Sequence, residues 1–315
     1  MPETNSLKPL SRFPSWLRRS VRFNKEIIET KTLLFEKNIN TVCQSARCPN
    51  IHDCFSRKKC TFLILGNYCT RSCRFCAIET EKKLSPPDTK ELFDIRDAVR
   101  DLGVRSVVIT SVTRDDLEDG GAGHFADCIK ILREAEILQP GVYPERSRRG
   151  LQDDQMGETT ESSQSGHLNI EVLVPDFLGR KSSIERVVFA RPDVFAHNIE
   201  TVPRLYKEVR PQADYKRSLD VIRHAKGFSA EIVTKSGLMA GLGEDVDEVY
   251  GVMRDLKRAG CDIITIGQYL KPDTGCLDVK EFLHPSKFEQ FSEWAKEIGF
   301  KKYNCSPFTR SSYLE

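Results

Sequence analysis

The chain has 315 residues, 39% of them hydrophobic and 30% charged, with a formal net charge of +2. That length and apolar content suit one large globular domain or two small ones with a real core. The near-neutral balance leaves no electrostatic footprint for nucleic acid, and no apolar run approaches the ~18–20 residues needed to span a bilayer. The first residues, MPETNSLKPLSRFPSWLRRSVRF, lack the apolar core of a secretory signal. The basic stretch from Arg18 to Arg22 allows a transit peptide, but Trp16 and Leu17 read as a docking arm, so a cytoplasmic, reducing location is expected.

Seven of the eleven cysteines follow between Cys43 and Cys76, and six of these form two triplets. Cys43, Cys48 and Cys54 are spaced C-x4-C-x5-C; Cys69, Cys73 and Cys76 are spaced C-x3-C-x2-C. Under reducing conditions such density points to metal ligation rather than disulfides. A structural zinc site closes its tetrahedron with four protein ligands, whereas each triplet leaves one position open. Thiolates select zinc, copper(I) or iron–sulfur clusters. A zinc-binding interaction module and a ferredoxin-like electron carrier therefore remain alternatives at this point, Cys60 being a candidate fourth zinc ligand for the second triplet.

From residue 61 onward, near-continuous apolar runs alternate with helix-like stretches. The runs at 61–65, 105–110, 169–174, 193–197, 231–235 and 262–266 have the character of strands buried on both faces. Helices are predicted at 88–102, 125–138, 244–259 and 286–298, the third stopped by Gly260. Six strands alternating with helices predict an α/β parallel sheet, either open and doubly wound or a partial barrel. Residues 144–167 break the pattern; they are polar, rich in Ser, Glu, Gln and Gly, and read as a disordered insertion. In a barrel, a helix-to-strand loop of this kind lies at the bottom, away from the chemistry. Residues 285–315 add the last helix, room for a short strand, and a tail.

The second triplet follows the first strand, on a loop at the presumed top of the sheet. It resembles the signature of the radical S-adenosylmethionine enzymes, with Phe75 before its last cysteine. GLMAGLGE, carrying Gly237, Met239, Gly241 and Glu244, matches that superfamily's adenine-contact motif after the fifth strand. TSVTRDD, from Thr110 to Asp116, offers Thr110, Ser111 and Arg114 at the top face, with Asp116 read as a helix cap. His197, Asn198 and Glu200 in HNIET, and Asp176, end strands on the same side.

The segments TVCQSARCPNIHDC, TFLILGNYCTRSCRFC, VVITSVTRDDLEDGGAGHF, IEVLVPDF, FAHNIETVPRLY, SGLMAGLGE, TIGQYLKP and RSSY occur in that order. Together they resemble the lipoyl synthases. The resemblance implies a partial (β/α)6 TIM-type barrel over 61–284, an N-terminal extension over 1–60 carrying the first triplet, and a C-terminal segment, 285–315, whose tail closes over the barrel top. It implies two [4Fe–4S] clusters. Cys69, Cys73 and Cys76 would hold the one that binds S-adenosylmethionine and cleaves it to a 5′-deoxyadenosyl radical. Cys43, Cys48 and Cys54 would hold an auxiliary, sulfide-donating cluster completed by Ser312 rather than Ser311. Cofactor contacts fall to Thr110, Ser111, Arg114, Asn198, Glu200, Gly241 and Glu244.

The implied reaction inserts two sulfur atoms at C6 and C8 of an octanoyl chain on a protein lysine. The partners would be octanoylated lipoyl carrier domains (a 2-oxoacid dehydrogenase E2 or a glycine-cleavage H protein) and an electron donor such as flavodoxin or ferredoxin, with the enzyme a monomer. Two positions depart from the family pattern: Cys60 stands where a small apolar residue is usual, and Ser306 where a glycine is usual. Cys128, Cys261, Cys276 and Cys305 match no ligand motif and read as structural.

Overall fold

The structure, a computed structural model, describes residues 13–19, 24–81, 83–137 and 167–312. The polar segment expected to be a disordered insertion lies outside the described residues except for His167. Among the described residues, a 3-10 turn at Ser15–Leu17 and three α-helices precede the sheet: α1 (Lys25–Glu36), α2 (Val42–Ser45) and α3 (Ile51–Ser56). Asn24 starts α1 by accepting the Ile27 amide, and Thr41 starts α2 by accepting that of Gln44, each satisfying an otherwise orphaned donor. The sheet and its crossovers then run β1 (Thr61–Ile64), α4 (Lys90–Leu102), β2 (Ser106–Ser111), α5 (Ala122–Ile137), β3 (Asn169–Leu173), α6 (Lys181–Phe189) and β4 (Val194–Ala196). They continue with α7 (Tyr206–Val209), α8 (Tyr215–Phe228), β5 (Val233–Ala240), α9 (Val246–Arg258), β6 (Ile263–Gln268), α10 (Pro285–Ile298) and β7 (Lys302–Ser306).

The strands pair in chain order, every pair parallel, in one open sheet. This is the partial barrel, with a seventh strand beyond the six units counted from sequence. It fills the room left for a short strand after the last helix; residues 302–306 are polar and partly exposed, and pairing with β6 sets their bounds. The fifth strand is also longer than its apolar run suggests, so Gly237 and Met239 lie within β5 rather than after it.

Crossover helices cover the sheet as the periodicity requires. In α9 a reciprocal cap joins Asp245 and Glu248, and Val249, Val252, Met253 and Leu256 are buried. Gly103 and Gly299 end α4 and α10 in the left-handed conformation that glycine adopts at least cost. Two edges, β1 and β7, remain. The N-terminal extension engages the first through an antiparallel Thr41–Phe62 bridge and a bond from the Leu63 amide to the Asn40 carbonyl, 2.9 Å. The docking arm lies on the last crossover, with Phe13 edge-on to Phe282 and Trp16 edge-on to His284.

Candidate active site

The second triplet lies on the loop leaving β1, and that loop is tied down on three sides. The Thr70 amide donates to the Thr113 carbonyl, 3.0 Å, and the Arg74 amide to that of Val209, 2.9 Å. Arg71, 4% exposed, donates to both Asp115 oxygens at 2.6 and 2.8 Å and to Asp176 at 2.7 Å. Asp176 is fully buried and takes a second guanidinium, that of Arg217, at 2.8 Å. Although burial opposes its charge, Arg71 foremost among the neighbouring cations holds this carboxyl well below the usual range. The Cys69 sulfur accepts from the amides of Arg71 and Thr113, at 3.4 and 3.3 Å. Burial pushes Cys76 up to about 12 and raises Cys73, with Cys69 and Glu200 adding negative charge and Arg210 opposing it at Cys73.

The first triplet lies beside the β1 edge. Burial lifts the thiol of Cys43 to about 11 and that of Cys54 to about 12, and the triplet's own thiols raise one another further. Cys60 belongs to this group and not to the second triplet, because its neighbours are Cys43 and Cys54. The chain places it there: the Lys59 amide bonds the Cys54 carbonyl at 2.8 Å, and Thr61 bonds Cys43.

Both triplets fit iron–sulfur clusters. Their thiols are all free and largely shielded from solvent, and thiols that raise one another's pKa favour a cation such as iron that displaces their protons. Among the described residues, no three His, Cys, Asp or Glu side chains gather as ligands of a single ion. A cubane takes each thiolate at a different iron and needs no such convergence.

The C-terminal tail joins the two regions. Asn50, two residues past Cys48, donates to the Phe308 carbonyl at 2.7 Å, and the Arg19 guanidinium lies 3.8 Å over the Phe308 ring. Arg310, half-buried, lies within electrostatic reach of Cys48. One residue on, the Ser311 hydroxyl donates to the Asn198 side-chain carbonyl at 2.8 Å, on the side of the second triplet. Ser312, next in sequence, is half-buried. Two glycines make this path: a Cβ at Gly237 would lie 2.5 Å from the Ser311 hydroxyl, and one at Gly267 would lie 2.0 Å from the Thr309 carbonyl. Where the family's glycine is replaced, the Ser306 hydroxyl contacts that of Thr309 at 3.0 Å.

The remaining sequence-predicted residues divide into scaffold-bound and open groups. Thr110 donates to the Leu173 carbonyl, 2.9 Å, while the buried Ser111 hydroxyl has no partner among the described residues. Arg114 is saturated by Asp116, at 2.8 and 2.9 Å, and by the carbonyls of Ser85 and Leu65. In this arrangement it holds the loop together rather than presenting its guanidinium to a cofactor. Asp116 is therefore a partner of Arg114; the cap of α5 is Asp119, which accepts the Gly121 and Gly123 amides at 2.8 and 2.7 Å.

Glu244 accepts the amides of Gly241 and Leu242, shaping its own loop, and a Cβ at Gly241 would strike Gln268. Asn198 donates to Glu200 at 3.0 Å. Glu200 is held at φ 66°, a strained conformation for a side-chain-bearing residue, by bridging β5 through Gly237 and Met239. His197 donates from Nδ1 to the Val174 carbonyl at 2.8 Å, leaving its buried Nε2 without a partner among the described residues. Cys276, read as structural, packs its sulfur against the Cys76 carbonyl at 3.5 Å. Sequence reasoning did not single out Arg71, Arg210 or Gly267. A legible signal existed for one of them, since Arg71 lies inside the second triplet itself.

Residues 63–256 match a family model described as the radical SAM superfamily. Solved structures show the same fold. SuiB of Streptococcus suis, bound to S-adenosylmethionine, superposes with a TM-score of 0.55 at 12% identity over 83% of this chain and 54% of that one. Methylornithine synthase superposes at 0.51 and 13% identity over 92% and 86%. A partial parallel barrel with a three-thiol loop after its first strand thus defines the class, the radical SAM proteins. Curated relatives narrow it. A lipoyl synthase of Caldicellulosiruptor saccharolyticus is 46% identical over 96% of this chain and 95% of its own length. Another, from Chlorobaculum parvum, is 44% identical over 95% and 92%. The chain belongs to the lipoyl synthase family, which retires the zinc-module and electron-carrier alternatives. Among the described residues no helix is long and apolar enough to cross a membrane.

Proposed function

We propose that the protein converts a protein-bound octanoyl-lysine to lipoyl-lysine by inserting sulfur at C6 and C8. The observation that carries this reading is the tail, whose residues 308–311 bond to the surroundings of both thiol triplets. When bound, one cluster with S-adenosylmethionine supplies hydrogen-atom abstraction, which unactivated carbon requires because no side-chain base can deprotonate it, and the other supplies sulfide. Cys69, Cys73 and Cys76 hold the first; Cys43, Cys48, Cys54 and Ser312 hold the second. Arg71, anchored to Asp115 and Asp176, keeps the Cys69–Cys76 loop in place against the Thr113 and Val209 backbone.

Thr110, Ser111, Asn198, Glu200, Gly241 and Glu244 shape the cofactor pocket, with Arg114 supporting it through Asp116. The extension and tail set the sulfur donor beside the reacting carbons, where proximity outpaces side reactions. The octanoyl chain arrives on a carrier domain of a 2-oxoacid dehydrogenase or of the glycine cleavage system, and electrons come from a flavodoxin or ferredoxin. The free cysteines of the chain suit the reducing cytoplasm, where the enzyme acts as a monomer.

The test is anaerobic turnover of an octanoyl-lysine peptide with dithionite and S-adenosylmethionine. About eight irons per chain and a lipoyl product are expected. Cleavage without sulfur insertion by protein carrying both clusters would overturn the reading. Cys73→Ala should abolish S-adenosylmethionine cleavage, whereas Cys48→Ala should retain cleavage and lose insertion; equal loss of both in Cys48→Ala would contradict the assignment.

A further inference from the structure

The bond between Ser311 and Asn198 connects the tail to the cofactor side in a way that neither triplet requires. An asparagine amide has one acceptor oxygen and one NH2 group. Here the oxygen takes the Ser311 hydroxyl at 2.8 Å, and the NH2 donates to Glu200 at 3.0 Å. Glu200 lies within electrostatic range of Cys73 and Cys76, on the loop of the second triplet. Gly237 leaves room for the Ser311 hydroxyl and the Asn198 oxygen and nothing more, since an added Cβ would stand 2.5 and 2.8 Å from them. Three residues before Ser311, the Phe308 carbonyl is held by Asn50 beside the first triplet. The short run from Phe308 to Ser311 therefore has one end on each centre.

We propose that Ser311 is a positioning residue whose bond to Asn198 couples the C-terminal tail to the cofactor pocket, so that S-adenosylmethionine binding and tail docking oppose each other. The inference rests on the reading above, in which Asn198 contacts the cofactor and Ser312 completes the first triplet. A cofactor hydroxyl or amino group that donates to the Asn198 oxygen competes with Ser311 for it in the crowded space beside Gly237, where Ser311, Asn198 and Thr265 already meet, and Ser311 loses its acceptor. Ser312, one residue away, is then held less firmly. An alkoxide is a hard ligand on a soft cluster, so its attachment responds to a small loss of positioning. The first cluster thus becomes labile when the cofactor is loaded and stays closed when it is not. Because coupling between two binding events is reciprocal, freeing the tail must tighten cofactor binding by the same factor.

The experiment uses the full chain with both clusters, and measures two quantities anaerobically: the rate at which a ferrous chelator removes iron from the first cluster, with and without S-adenosylmethionine, and the cofactor's dissociation constant. In the unaltered protein S-adenosylmethionine should accelerate iron release about fivefold, the worth of one hydrogen bond. In Ser311→Ala, release should be fast without the cofactor and gain nothing from it, and the cofactor should bind about fivefold more tightly. Gly237→Ala, which pushes the same hydroxyl away from the other side, should show the same cofactor-independent release. A merely structural role for Ser311 would change release without changing its dependence on the cofactor. Eight irons with cofactor-insensitive release in the unaltered protein, or unchanged behaviour in Ser311→Ala, overturns the coupling alone. About four irons in a protein that still binds S-adenosylmethionine overturns the two-cluster reading and the coupling with it.

Discussion

Arg71 shows how much a single side chain carries in this site. It is buried, its charge is shared between Asp115 and Asp176, and it lies two residues from Cys69. Removing one member of a buried charge network leaves the others uncompensated, at a cost of roughly 3–5 kcal/mol. Arg71→Ala should lose about that much in denaturant unfolding, whereas Arg217→Ala, whose partner keeps Arg71, should lose less. Equal losses would show that Asp176 does not depend on Arg71.

His197 gives a pH dependence with a definite sign. Burial first, then Arg210, lowers its pKa from 6.5 to about 4, so the folded protein keeps the ring neutral where the unfolded chain protonates it. Its contribution is complete above pH 6.5 and is lost as pH falls towards 4, amounting to roughly 3 kcal/mol. His197→Asn, which keeps a donor for the Val174 carbonyl, should flatten the fall in stability between pH 7 and 4 by that amount. Parallel curves for the two proteins would refute the assignment. None of this was legible beforehand: HNIET marks a strand end, but burial against Asp176 and Arg210 is a product of the tertiary fold.

At the level of elements, β5, β6 and β7 form a wall that accommodates the tail. Gly237 reads from sequence as part of a cofactor-contact motif and Gly267 draws no reading of its own, yet their missing side chains are the space that residues 309–311 occupy. The contact at Gly267 is with backbone, which cannot rotate away as a side chain could. Gly267→Ala should therefore lift the tail, raising tryptic cleavage after Arg310 on the order of tenfold by shifting the local opening equilibrium. Unchanged cleavage would mean that Asn50, Arg19 and Asn198 anchor the tail without the space at Gly267. The strands and crossover helices themselves were largely readable, because parallel strands buried on both faces produce apolar runs and α9 carries its own cap and stripe. β7 was legible only as room for a short strand after the last helix, since its polar residues gain their bounds and register by pairing with β6.

Over the whole molecule, the second triplet, Asn198 and Gly241 all lie just past the C-terminal ends of strands of one parallel sheet, whereas the polar segment falls in sequence between α5 and β3. The start of β3 is secured at Asp193, whose carboxylate accepts from Arg133 at 2.6 Å and from the Ile170 amide at 2.7 Å and lies 2.8 Å from His167. His167, counted with the polar segment from sequence, thus belongs to the barrel. Deleting 144–166 while keeping His167 should leave turnover within about twofold and the melting temperature within a few degrees, as helix-to-strand loops lie away from the reacting face. A folded deletion protein without turnover would overturn this; including His167 in the deletion should cost additional stability.

The sequence alone determined the barrel's repeating order, the two thiol triplets and the family they resemble, because burial periodicity and ligand spacing are local properties of the chain. The tertiary structure decided which groups share a neighbourhood. It moved Cys60 from the second triplet to the first, bound Arg114 to the scaffold, and joined a tail serine to Asn198 across 113 residues of chain. Those outcomes depend on packing between distant segments, to which neither spacing nor composition responds.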